Sequence, residues 1–121
     1  MNNEEKAVAT VAALIAATKD KSAHHIVIHG KLTDAPSITL LPGQTLRGDG
    51  AGAAVIFTTE GLQLSSDNRV HNIRLETAPD KRAIFNDTSV ASLGRIELRG
   101  VTTIGRIQIL ARDKVKAGHV D

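Results

Sequence analysis

Thr45-Leu46-Arg47-Gly48 returns as Glu97-Leu98-Arg99-Gly100, with Ile73-Arg74-Leu75-Glu76 between them, so arginines 47, 74 and 99 fall 27 and 25 residues apart. Val55-Ile56-Phe57 returns 28 residues later as Ala83-Ile84-Phe85. Units of this length, each holding two or three short strands, suit coils that stack on one another at about 4.8 Å. An antiparallel sandwich would impose no common register on segments so far apart. The repeats therefore predict a parallel β-helix. Leu46, Leu98, Phe57 and Phe85 should be buried in inward ladders, the two phenylalanines in one ladder.

Outward from these repeats, short β-branched runs fill residues 23–110. The predicted strands are 25–29, 37–41, 44–48, 54–58, 61–64, 70–76, 83–85, 95–99 and 105–110. Turn chemistry separates them at Pro42-Gly43, Gly48-Asp49-Gly50, 65–68, Ala78-Pro79-Asp80 and Asn86-Asp87. Before the strands, residues 4–19 are rich in Ala and place Val8, Val11, Leu14 or Ile15 and Thr18 at helical intervals. This predicts one helix, with Glu4 and Glu5 at its positive end and Lys19 and Lys21 at its negative end. The expected division is a capping helix over 1–22, about three to four coils over 23–110, and a charged tail over 111–121.

Composition narrows the possible activities. A chain of 121 residues fits one domain. Without cysteine it has no disulfides, thiolate nucleophile or Cys-based zinc site. Fifteen Lys and Arg against 13 acidic residues leave a formal charge of +2, too small an excess to predict nucleic acid as a partner. Phe57 and Phe85 are the only aromatic residues, so no platform for stacking bases or sugars is expected. Met1-Asn2-Asn3-Glu4-Glu5 lacks the positive charge of a secretory signal. No apolar stretch approaches the roughly 20 residues of a membrane span, so no membrane partner is expected and the compartment stays open.

The order of helix, His25-Ile26-Val27-Ile28-His29-Gly30 and then residues 37–50, with Pro42-Gly43-Gln44-Thr45-Leu46-Arg47-Gly48 inside them, resembles the N-terminal entry of pectate-lyase-like right-handed β-helices. Residues 64–75 look like a later coil of that superfamily, with Asn at a bend and alternating aliphatics. The resemblance spans residues 5–110. It implies an all-β solenoid, a short right-handed parallel β-helix with one N-terminal α-helical cap. Polysaccharide lyases, hydrolases, epimerases, phage tailspikes, adhesins and inert assembly modules share this architecture, so it does not select an activity.

In the lyases, acidic residues holding calcium and an arginine base carry the chemistry. Here Asp49, Asp67, Asp80 and Asp87 all lie in turns, where Asp is expected for its backbone hydrogen bonds; calcium would need roughly six to eight converging oxygens. Glu76 and Glu97 are candidates to approach one another on neighbouring coils, but each follows or precedes an arginine two residues away, Arg74 or Arg99, and is better explained by charge pairing. His25 and His29 share a strand face that His24 does not, which leaves a zinc site short of ligands. His71-Asn72 reads as a surface or turn pair, and His119 as part of the tail. No metal or cofactor is expected.

Arg47, Arg74 and Arg99 are the remaining candidate ligand site. If they stack on successive coils they form a cationic stripe able to hold an acidic polysaccharide or phosphate bidentately. The sequence thus points to a non-catalytic scaffold or assembly module, with self-association or further coils at the C-terminal edge over 105–110. The alternative is the N-terminal portion of a polysaccharide-acting lyase, hydrolase or epimerase, or of a phage-like depolymerase, whose active coils lie beyond residue 121.

Overall fold

The computed structural model describes residues 5–50, 52–86, 94–108 and 119–120. Strand β1 (Glu5–Val8) leads into helix α1 (Val11–Lys19), followed by β2 (His25–Ile28), β3 (Lys31–Ala35), β4 (Ile38–Thr39), β5 (Thr45–Gly48), β6 (Ala54–Phe57) and β7 (Leu62–Leu64). Then come β8 (Arg69–His71), β9 (Arg74–Glu76), β10 (Arg82–Asn86), β11 (Arg95–Arg99), β12 (Thr102–Ile104), β13 (Arg106–Gln108) and β14 (His119–Val120).

Every third strand joins the same sheet. The first sheet runs β1-β2-β5-β8-β11-β14, the second β3-β6-β9-β12 and the third β4-β7-β10-β13. All pairings are parallel. The protein is a parallel β-solenoid of about four turns with, among the described residues, a single short helix near its N-terminus. No described helix is long and apolar enough to cross a membrane.

Three inward columns make the core. Ile26, Leu46, Val70 and Leu98 stack in the first sheet. Leu32, Val55, Leu75 and Thr103 stack in the second, and Ile38, Leu62, Ile84 and Ile107 in the third. Alternation along each strand sends one residue to this core and the next to the outer face. The expected Leu46–Leu98 ladder is present, with Leu46 buried and Leu98 partly so. Both phenylalanines are buried, but they share no ladder. Phe57 pairs with Ala35 and joins the core cluster, whereas Phe85 pairs with Gln63 and Gln108 on the outer face of a different sheet. There the Arg82 guanidinium lies 4.2 Å from the ring centroid. The 28-residue spacing misled because connections between strands differ in length from coil to coil.

The helix is shorter than its composition suggests. Thr10, extended at φ −136°, accepts a 3.1 Å hydrogen bond from the Ala13 amide and starts the helix there. Glu5 to Val8 pair instead with His25 to Ile28, so Glu5 belongs to a strand and not to a first helical turn. Leu14, Ala17 and Thr18 bury against the first coil. Asp20 ends the helix, and its carboxylate accepts from the Ser22 hydroxyl at 2.7 Å and amide at 2.9 Å. These bonds, the hydroxyl first, hold the Asp20 pKa below its ordinary value.

The expected strand over 70–76 divides at a corner, bending at Asn72 (φ 52°), whereas β13 falls within the expected strand over 105–110 and β12, set off from it by Gly105 (φ 113°), was not expected. Positions 109 and 110 lie outside the described residues. Strand β3 was not expected, nor was β14, which places His119 and Val120 beside Arg95 and Ile96 and not in an unstructured tail.

Two buried amides hold the corner that precedes the first sheet. Gln44 accepts from the Leu41 amide at 2.7 Å and donates to the carbonyls of Ala23 (2.9 Å), Ala17 (3.3 Å) and Asp20 (3.4 Å), which ties the helix C-terminus to the coil. One coil later Asn68 accepts from the Ser65 amide at 2.7 Å and donates to Leu41 and Gln44 carbonyls at 3.0 and 3.1 Å. Asn68→Ala would leave the buried Ser65 amide without its acceptor and take one of two donors from each of the Leu41 and Gln44 carbonyls, an expected loss of about 1–3 kcal/mol. Urea unfolding checks this. Phe57→Ala should cost about 3–5 kcal/mol by the same measurement.

Candidate functional site

The outer face of the first sheet carries three ion pairs among the described residues. Because Val27, Arg47, His71 and Arg99 are register partners, they form one outward column. His25, Thr45, Arg69 and Glu97 form the next. Arg47 and Arg99 therefore do align, but the residue between them is His71. Arg74 lies on β9 in the second sheet, paired with Ala54 and Thr102. The proposed three-arginine stripe is corrected accordingly: a corner at Asn72 and Ile73 carries Arg74 onto another face. Glu76 and Glu97 are separated for the same reason and do not approach as a carboxylate pair.

Each of the three arginines meets a carboxylate. Arg47 Nη2 lies 3.2 Å from Glu5 Oε2, Arg74 Nε 2.6 Å from Glu76 Oε2, and Arg99 Nη2 3.4 Å from Glu97 Oε1. The last two are the pairings two residues apart that the sequence suggests. The Arg47–Glu5 pair spans three strands and was hidden by the assignment of Glu5 to the helix.

Glu97 is the most enclosed of these acids, at 8% exposure. Its Oε2 lies 2.5 Å from His71 Nε2. The hydrogen bond from His71 is the largest influence holding the Glu97 pKa below its ordinary value of 4.5; partial burial opposes it, and the charges of Arg99, His71 and Arg69 assist it. Glu60 is likewise lowered, first by the Arg82 amide, which donates to Oε2 at 2.6 Å. The sequence alone makes His71 a surface or turn residue; its place diagonal to Glu97, with Arg99 as its register partner, follows only from the pairing of β8 with β11.

Two of the turn aspartates bond outside their own turns. Asp67, at φ 51°, accepts from the Arg95 amide at 2.9 Å, and Asp49 Oδ2 lies 2.6 Å from His29 Nδ1. Asp87 lies outside the described residues. Among the described residues, no group of three or more His, Cys, Asp or Glu is placed to hold a metal ion.

No protein-family model matches this chain, and no curated protein or solved structure matches it either.

The carboxylates set a direction for acid stability. A carboxylate whose native pKa is lowered stabilises the fold fully above its unfolded value, and that contribution disappears as pH falls through the lower native value. For Glu97 the contribution is complete above about 4.5 and fades below it. Glu97→Gln should therefore lower the melting temperature at pH 7, with a wild-type advantage that shrinks towards pH 3. An advantage unchanged across that range would contradict the assignment.

Proposed function

We propose that this chain is a non-catalytic solenoid module whose role is assembly, and that its β12–β13 end is the joining surface. The observation that supports this is a gradient along the stack. In the column Ile38, Leu62, Ile84 and Ile107, the first three are buried at 3%, 0% and 0%, and Ile107 is 51% exposed. Ile104 on β12 is 37% exposed. Strands β12 and β13 are also the last of their sheets among the described residues, so each offers a row of backbone donors and acceptors. An edge of this kind gains by adding a parallel strand, and the exposed isoleucine continues an inward column already in register.

The occupant of that edge in the purified chain is a second copy. The resemblance to pectate-lyase-like entry coils is compatible with a module that extends by further coils, and it supplies no catalytic residues here.

Light scattering over a concentration series tests the reading. Wild-type protein should associate with rising concentration, and Ile107→Glu should shift it to monomer with its circular dichroism spectrum retained. A wild-type chain that stays monomeric at the highest concentrations would overturn the proposal.

A further inference from the structure

The corner between the first and second sheets forms an open groove of about 400 Å³, lined by Gly50, Ala53, Asn72, Ile73, Arg74, Gly100 and Thr102. Its size lies within the range of small-molecule sites. The solenoid creates it by stacking three successive corners. Ala53 and Ile73, at 3% and 2% exposure, belong to the core beneath the groove, and the two glycines contribute no side chain. At Gly100 (φ 62°) a side chain would be strained, and its Cβ would crowd the Asn72 amide oxygen, so the groove stays open there.

Three polar side chains line this groove from two adjacent coils. Arg74 and Thr102 are direct register partners on β9 and β12, and Asn72 sits at the bend just before β9. Arg74 uses only Nε toward Glu76, at 2.6 Å, and its side chain is 48% exposed. Its two terminal nitrogens have no hydrogen-bond or ion-pair partner among the described residues, which leaves the end-on edge of the guanidinium open. Glu76 orients the group by its side edge without occupying that second edge. By contrast, Arg47 and Arg99 each engage a carboxylate through a terminal nitrogen.

We propose that this groove is a binding site for a small carboxylate. The end-on edge of Arg74 takes the two carboxylate oxygens in parallel, a geometry that a planar guanidinium favours. The Thr102 hydroxyl and Asn72 amide provide further donors beside it. The site lies on the flank of the stack, and only Thr102 among its polar side chains stands on β12 at the assembly edge.

Titration of ¹⁵N-labelled protein with sodium benzoate, at constant ionic strength, tests it by NMR. The expected result is saturable shifts of the Asn72, Gly100 and Thr102 amides with a millimolar Kd. Arg74→Gln should weaken binding at least tenfold and Arg74→Lys by less, while Arg47→Gln leaves it unchanged. Retained dispersion of the remaining amides shows that the variants fold. Equal shifts with neutral benzamide, tighter binding of inorganic phosphate, or an Arg74→Gln variant that binds as wild type would each overturn the proposal.

Discussion

The stack depends on the side-chain amides of Gln44 and Asn68. A parallel coil must turn three times per circuit, and each turn removes backbone groups from the sheet ladders. At the corner before the first sheet these groups are buried, so water does not satisfy them. Gln44 and Asn68 do so from within, at 2% and 0% exposure. Their bonds reach across coils: Asn68 donates to the carbonyl of Gln44, and Gln44 reaches the carbonyls that end α1. Removing either partner would expose a buried deficit, since an unmade hydrogen bond costs more than a made one contributes. Among the described residues, no buried side-chain nitrogen or oxygen lacks a partner.

With the corners held, the register of the columns follows, and it decides which charges meet. Outward residues two apart on one strand share a face, so Arg74 pairs with Glu76 and Arg99 with Glu97 whatever the neighbouring coils do. Cross-coil contacts such as His71 with Glu97 exist only because β8 and β11 are adjacent. The same geometry disperses Arg47, Arg74 and Arg99, since a residue that moves past a corner moves to another face. Exposed ion pairs of this kind contribute at most about 1 kcal/mol each, so they tune the surface while the aliphatic columns supply the stability.

This explains what could be read from the sequence and what could not. The motif shared by residues 45–48 and 97–100 was a true repeat: both segments flank Val70 in one sheet. Its glycine has a structural cause at Gly48, where a Cβ would collide with the Asn72 carbonyl oxygen and Ala53. The assignment of residues 73–76 as the intermediate repeat was out by one corner, because the true match is Arg69-Val70-His71. Hydrophobic alternation is identical in all three sheets, so it identifies a strand without saying to which sheet it belongs. The position of a corner is carried by single residues, Asn68 before the first sheet and Asn72 after it, and both look like ordinary turn asparagines until their partners are known. Thr10 was similarly obscured, since the Ala-rich periodicity runs through it, and only its cap geometry separates strand from helix.

The two ends of the solenoid are consequently unlike. At one end α1 packs against β1 through β4 and places Leu14 and Ala17 over the first coil, so the columns close on a helix fastened by Gln44. At the other, the second-sheet column passes from Leu75 to Thr103 and the third from Ile84 to Ile107. Thr103 can satisfy its hydroxyl in water, as a residue near a boundary should. Ile107 cannot, and its side chain gains only when another apolar surface covers it. A column that is aliphatic to its last described member, beside one that has already turned polar, is the contrast on which the proposed joining surface rests.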